Sequence, residues 1–277
     1  MEGKAATMEF RFTVLASGST GNATLVQSGD KMVLVDAGHS LKKLEELMSQ
    51  QGVSGHDIDA VLITHEHSDH IKGLNALARK YELPVYANEA TWGALERHTS
   101  HVPAERRVIM RTGDEADFGS MRVRSYPISH DAAEPVGYTF MDDGYKLSLA
   151  TDLGYVSDMV RRSIIDSDVL VLESNHDPEM LRMGRYPWNI KRRILSDIGH
   201  LSNEAAGEAL CELMTERTRR VYLAHLSLNH NMMELARITV NSVMEDRGHF
   251  FRKDEHPLRD TYPHQPTPWD QIKRKSL

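Results

Sequence analysis

Six residues constrain this chain more than any others: His65-Glu66-His67-Ser68-Asp69-His70. They follow the apolar run Ala60-Val61-Leu62-Ile63, which reads as a buried strand. Three imidazoles and the Asp69 carboxylate therefore leave that strand on one short turn. Neutral imidazole nitrogen and carboxylate oxygen are good ligands for zinc and similar divalent ions. A tight turn aims its side chains in different directions, so one segment can serve two metals. The competing reading is a chance cluster of surface histidines, and the dense spacing at a strand end argues against it.

The same pattern recurs along the chain. Asp36 closes Val33-Leu34-Val35, His130 follows Tyr126-Pro127-Ile128-Ser129, Asp152 follows Leu147-Ser148-Leu149-Ala150-Thr151, and His225 follows Val221-Tyr222-Leu223-Ala224. A lone residue of this kind is ordinarily a cap or a turn residue. Repetition at several strand ends is what a site along one edge of packed sheets requires. Helical spacing follows the early strands, with Ser40 as an N-cap before Leu41, Leu44, Leu47 and Met48. Ser202 or Asn203 can cap a second helix carrying Ala205, Ala206, Ala209, Leu210 and Leu213.

The rest of the composition bounds the answer. With 277 residues, 40% of them apolar, the chain can bury a sizeable core. Cys211 is the only cysteine, so an intramolecular disulfide is excluded, and its apolar neighbours read as the setting of a buried inert thiol. The start lacks the apolar core of a signal peptide, and no apolar run approaches a membrane span. The expectation is a soluble cytoplasmic protein. Residues 1–8 are expected to be a flexible leader, 9–250 the folded domain, and 251–277 a flexible tail.

A net charge of −7 gives no general attraction to nucleic acid. A local basic stripe exists, however: Arg182, Arg185, Lys191, Arg192 and Arg193, interleaved with Tyr186 and Trp188. That mixture suits a phosphate backbone with stacked bases, and equally a solvated helical face. Ser17, Ser19 and Asn22 lie in a Gly-rich turn whose hydroxyls and N–H groups suit a terminal phosphate. A hairpin chosen for its turn geometry explains them as well. The spacing is not that of a P-loop.

His-x-His-x-Asp-His after an apolar strand, followed in order by His130, Asp152 and His225, resembles the metallo-β-lactamase superfamily. The resemblance implies an α/β fold, the αββα four-layer sandwich, holding two divalent metal ions, zinc or manganese. His65, His67 and His130 would hold one ion, Asp69, His70 and His225 the other, and Asp152 would bridge them. A hydroxide between ions about 3.5–4 Å apart would be the nucleophile. Asp36 would orient the ligands from behind. Gly199-His200-Leu201-Ser202-Asn203 resembles the Gly-His-Ser-Thr segment of RNase Z-type phosphodiesterases, whose histidine acts near the scissile phosphate. Glu173 corresponds to a family glutamate that pairs with such a histidine, and His176 is expected to join them. Asp69, Glu173 and His200 are thus the candidate catalytic residues.

Over residues 9–250 the chain resembles the YycJ/WalJ-like branch of that superfamily. The resemblance includes Leu15-Ala16-Ser17-Gly18-Ser19-Thr20-Gly21-Asn22, Glu173-Ser174-Asn175-His176-Asp177 and Gly184-Arg185-Tyr186-Pro187. It implies a cytoplasmic 5′-to-3′ DNA exonuclease with a role in DNA mismatch repair. The substrate would be single-stranded DNA or duplex ends, and mismatch-repair or other DNA-processing proteins would be partners. Ser17, Ser19, Asn22, Arg185, Arg192 and Arg193 would contact the nucleic acid. An extra imidazole, His230, departs from the branch pattern. The alternatives are an RNase Z-like or small-phosphodiester hydrolase and, more remotely, an ester or thioester hydrolase. The His200 and Glu173 segments argue against the ester class.

Overall fold

Period-2 alternation along the strands decides how the layers form. Val33 and Val35 face one way and pack against the opposite sheet, while Met32 and Leu34 face the other way and pack under helices. Leu170 and Leu172 likewise face helices, and Val169 and Val171 face the opposite sheet. Two apolar faces per sheet yield three packed layers of core, hence helices, sheet, sheet, helices. The expected αββα four-layer sandwich is what the computed structural model has, over residues 9–98, 102–252 and 255–272.

The first half starts with an antiparallel meander, β1 (Phe10–Ala16), β2 (Ala23–Ser28) and β3 (Lys31–Val35). Helix α1 (Leu41–Gln50) follows, capped by Ser40 Oγ. Then come β4 (Ala60–Leu62), α2 (Ser68–Ile71), α3 (Leu74–Tyr81), β5 (Val85–Ala87), α4 (Glu89–His98) and β6 (Arg107–Ile109). Strands β3 to β6 run parallel. The second half contains β7 (Glu115–Phe118), β8 (Met121–Pro127), β9 (Val136–Asp142) and β10 (Tyr145–Ala150). It continues through α5 (Asp158–Ile164), β11 (Val169–Glu173), α6 (Pro178–Met183), α7 (Trp188–Ile194), α8 (Asn203–Leu213), β12 (Arg220–Ala224) and α9 (Met233–Asp246). Strands β10, β11 and β12 are parallel, and β8 shares their direction because two antiparallel steps separate it from β10.

The C-terminal segment departs from expectation. Instead of a flexible tail, residues 255–272 supply β13 (Leu258–Asp260), parallel to β12, and β14 (Asp270–Gln271), antiparallel to β1. Each seven-stranded sheet therefore gains one edge strand from this segment, and the fold runs past residue 250. Strands of three and two residues show no alternation that a sequence reading can detect. The expected leader, 1–8, lies outside the described residues, as do 273–277.

Candidate metal centre

The parallel strands of both sheets end at one edge, where ligands of open α/β sheets gather. Asp36 follows β3, the His65–His70 turn follows β4, His130 follows β8, Asp152 follows β10, Glu173 ends β11, and His225 follows β12. Asp36, Asp152 and His225 each leave their strand with φ near +60° (60°, 60° and 55°). The left-handed region costs a non-glycine residue about 1 to 3 kcal/mol, so the rest of the site must hold these turns in place. Gly38 permits the tight assembly of the first turns. A Cβ there would lie 1.7 Å from the Asp69 carbonyl oxygen and 2.4 Å from Asn22 N.

Four groupings of side chains bring possible ligand atoms within 4.8 Å of one another. His65, His67 and His130 form one, and Asp69, His70 and His225 another. Asp152 joins His65 and His70 in a third and His225 in the fourth, so it stands between the two expected sets. His130 Nε2 and His67 Nδ1 are 3.3 Å apart. Asp152 Oδ2 lies 3.3 Å from His70 Nε2, and Asp69 Oδ2 lies 3.5 Å from His225 Nε2.

Several imidazoles are turned by a partner on their outer nitrogen. His70 Nδ1 meets Asp36 Oδ2 at 2.8 Å, His130 Nδ1 meets the Gly199 carbonyl at 3.1 Å, and His225 Nδ1 meets Glu173 Oε1 at 2.9 Å. This leaves their Nε2 atoms toward the cluster. Asp36 is itself fixed by the Thr64 N–H and hydroxyl, both at 2.9 Å. Asp36 thus stands behind His70 and fixes the orientation of its ring. Glu173 falls in the fourth grouping, but it is not a free ligand. Oε1 accepts from His200 Nδ1 at 2.8 Å and from His225, and Oε2 accepts from the Leu153 and Leu201 N–H groups at 2.7 and 3.2 Å.

The donor set fits divalent ions. His65 Nε2, His225 Nε2 and Asp152 Oδ2 are buried with no hydrogen-bond partner, which is costly unless a cation takes the lone pairs. The charges agree. Burial would lower His70 and His225, but the surrounding carboxylates outweigh it: Asp152, Asp36 and Asp69 hold His70 well above the usual imidazole range, and Asp152, Asp69 and Glu173 push His225 up to about 10. Burial would raise Asp152, and His225 and His70 instead hold it well below the carboxylate range. Burial with its His70 neighbour holds His65 well below its ordinary value and so keeps its ring neutral. A carboxylate-rich pocket of this kind draws positive charge, and divalent cations supply it while leaving each imidazole neutral.

The other expected residues divide. His200 sits at the rim, fastened to Glu173, with its Nδ1 3.9 Å from Asp152. His176 does not join them. It is buried, neither ring nitrogen has a hydrogen-bond partner, and burial above all drops it to about 4. Ser17 and Asn22 serve the site's own architecture: Ser17 Oγ accepts from His225 N, and the Asn22 amide meets Gly18 and, at 3.1 Å, His70 Nε2. Ser19, Arg185 and Arg192 are exposed. Arg193 is engaged by both oxygens of Asp131, next to His130. Lys191 leaves the basic stripe, being buried with its ammonium on the Arg182 carbonyl. His230 packs edge-on against Tyr186, 4.4 Å between ring centres, away from the cluster. Sequence reasoning missed Thr64 and the second histidine held by Glu173. A threonine directly before the His65 turn was a usable signal for the first. Nothing local links residues 173 and 225.

Comparison with known proteins adds to this geometry. The β-lactamase superfamily domain matches residues 31–226. Exodeoxyribonuclease YycJ of Bacillus anthracis is 52% identical over 260 residues, which span 94% of this chain and 98% of that protein. Exodeoxyribonuclease WalJ of Streptococcus pneumoniae serotype 2 (strain D39) is 45% identical over 233 residues, or 83% of this chain and 87% of that protein. Among solved structures, Zn(2+)-bound PqqB from Methylobacterium extorquens aligns with a TM-score of 0.71 at 16% identity, covering 93% of this chain and 99% of that one. At that identity the likeness is one of fold.

Proposed function

The chain belongs to the β-lactamase superfamily, in its YycJ/WalJ-like branch, and on that premise we propose that it removes nucleotides from DNA in the 5′-to-3′ direction with two divalent ions, zinc or manganese. The class is a metal-dependent DNA exonuclease. The observation that carries the reading from the site itself is the His200–Glu173 pair beside the ligand cluster. A thioester expels a thiolate that leaves without a proton, whereas the sugar alkoxide expelled from a phosphodiester is a poor leaving group that gains from a positioned acid.

His65, His67 and His130 would hold one ion, Asp69, His70 and His225 the other, and Asp152 both. The first set is rich in imidazole and suits zinc, and the carboxylates of the second admit a harder ion such as manganese. When bound, such ions supply Lewis acidity and a nucleophile derived from water at neutral pH. His200 offers Nε2, because Nδ1 is held by Glu173. As an imidazolium it can give its proton to the leaving oxygen or hydrogen-bond a non-bridging phosphate oxygen. Glu173, at about 2, stays ionised and steadies that positive charge; burial opposes this, and His200 and His225 override it. Ser19, Arg185, Arg192 and Arg193 are the exposed members of the expected phosphate contacts, with Trp188 exposed between Arg185 and Arg192 for stacking. Arg193 reaches a phosphate only by leaving Asp131.

No helix among the described residues is long and apolar enough to cross a membrane, and we place the enzyme in the cytoplasm, where it meets DNA and mismatch-repair proteins. Linear DNA labelled at either end, a closed circle of the same sequence, and labelled RNA test the reading, with zinc- or manganese-loaded protein. Small products should leave the 5′ end of linear DNA, and the circle should resist. Release from the 3′ end alone would remove the polarity. Equal cutting of circles would remove the exonuclease activity, and preference for RNA would favour the RNase Z-like alternative. Cells carrying Asp152→Ala should show a raised mutation frequency if the enzyme serves mismatch repair. An unchanged frequency would remove that role.

A further inference from the structure

A groove of about 380 Å³ lies on the outer face of the second sheet, between α5 and strands β7 to β10, away from the metal centre. Arg122, Arg124, Lys146 and Arg162 line it, and Glu115 is its one acidic lining residue. This concentration of cations stands out on a chain whose net charge is −7. Arg122 is balanced by Glu115 and Asp117. Arg124 and Arg162 are exposed and make no ion pair among the described residues. The Lys146 ammonium donates to the Ile165 carbonyl, a neutral partner. Burial above all draws Lys146 below its usual range, with Arg217 and Arg124 adding to it and Asp166 and Asp168 opposing.

The strands that floor the groove also carry the metal centre. Arg124 lies in β8, six residues before His130, and Lys146 lies in β10, six residues before Asp152, both ligand candidates standing just past their strand's end. Six residues at the rise of a strand set an upper limit of about 20 Å on the distance from groove to cluster. That distance is no more than about six base steps along the axis of a stacked duplex, and fewer on an extended single strand. Tyr155 and Met159 are both exposed on the segment that leads from Asp152 into α5, and the acid between them, Asp158, is paired with Arg161. An exposed aromatic offers a stacking surface to a base.

We propose that this groove is a second, non-catalytic binding site for the phosphate backbone of the nucleic-acid substrate, within about six nucleotides of the scissile bond. It rests on the nuclease reading and extends it by setting a minimum substrate length. Oligonucleotides that reach both sites bind through groove and cluster together, and shorter ones bind through the cluster alone. Two linked contacts of this kind multiply their effects on affinity.

The test compares the wild-type, metal-loaded protein with the pair Arg124→Ala/Arg162→Ala, and with Arg124→Glu/Arg162→Glu as a stronger variant. Binding of fluorescent single-stranded DNA of four and of sixteen nucleotides is followed by anisotropy across salt concentrations. The sixteen-mer should lose roughly 10-fold or more in affinity, and its log–log salt slope should fall by about 1.4, two contacts at the single-strand value. Affinity for the four-mer, and turnover of a small chromogenic phosphodiester, should stay unchanged. Equal binding of the sixteen-mer by all three proteins would overturn the proposal. So would polyglutamate competing at the groove as well as DNA does, since that would assign it to an acidic protein. Because binding is read apart from cleavage, a protein that binds long DNA through the groove but degrades none would sink the nuclease reading and leave the groove assignment standing.

Discussion

Glu173 Oε1 accepts from Nδ1 of both His200 and His225, and Oε2 accepts from two backbone N–H groups. One carboxylate thus orients a member of the metal set and the imidazole beside it. Its replacement and that of His200 should therefore give different phenotypes. Glu173→Gln brings an NH2 against the two imidazoles or against the two backbone N–H groups, depending on how the amide turns, and either way removes the negative charge that steadies His225. Affinity for the ion it holds should fall by roughly 10–100-fold, the usual effect of losing such a supporting group. His200→Ala should leave metal content unchanged and lower turnover on DNA by roughly 10²–10⁴-fold. That loss should shrink on a p-nitrophenyl phosphodiester, whose leaving group needs no proton. Elemental analysis beside turnover separates the two. Metal loss in His200→Ala would make His200 a ligand, and full metal retention in Glu173→Gln would deny that Glu173 positions His225.

At the scale of elements, the C-terminal segment couples the two sheets. β13 extends the second sheet, β14 extends the first, and Tyr262 between them accepts a hydrogen bond from Ser17 N. Thr267 clips this segment to β1: its carbonyl accepts from Thr13 Oγ1 at 2.7 Å, and its own Oγ1 accepts from Val14 N at 3.0 Å. Thr267→Val keeps the shape and strands the buried Val14 N–H. It should cost about 1–3 kcal/mol in urea unfolding, and an unchanged midpoint would show that the clip contributes nothing. This element was invisible in the sequence because its contacts are main-chain bonds and single hydroxyls, with no apolar period. The layers were legible because Val33, Val35, Val169 and Val171 alternate with residues buried on the opposite face. The ligand cluster was legible because strand ends deliver it and the His65–His70 turn is local. Partnerships across long loops were not: Ser17 with His225, Asp131 with Arg193, and Glu173 with His225 are chosen by the packing of turns.

For the whole molecule, the expected ligands come from both sheets. The turn after β4 gives His65, His67, Asp69 and His70 from the first sheet, while β8, β10 and β12 lead to His130, Asp152 and His225 in the second. Ions held by this set would tie the sheets together at one edge, as the C-terminal segment ties them through its backbone. Because an unfolded chain scatters these residues, metal binding is linked to folding. At a free ion concentration 100-fold above Kd the linkage contributes about 2.7 kcal/mol per site. Removing the ions with a chelator should therefore lower Tm, on the order of 5 to 10 °C for a chain of this size. Asp152→Asn keeps the side-chain shape and weakens both sites, so chelation should shift its Tm much less. The same chelator shift in wild type and Asp152→Asn would contradict the bridging place of Asp152. No shift in a wild-type protein shown by elemental analysis to be loaded would mean that the sheets hold their edge without the ions, and that the turns at Asp36, Asp152 and His225 are kept in their strained conformation by packing alone.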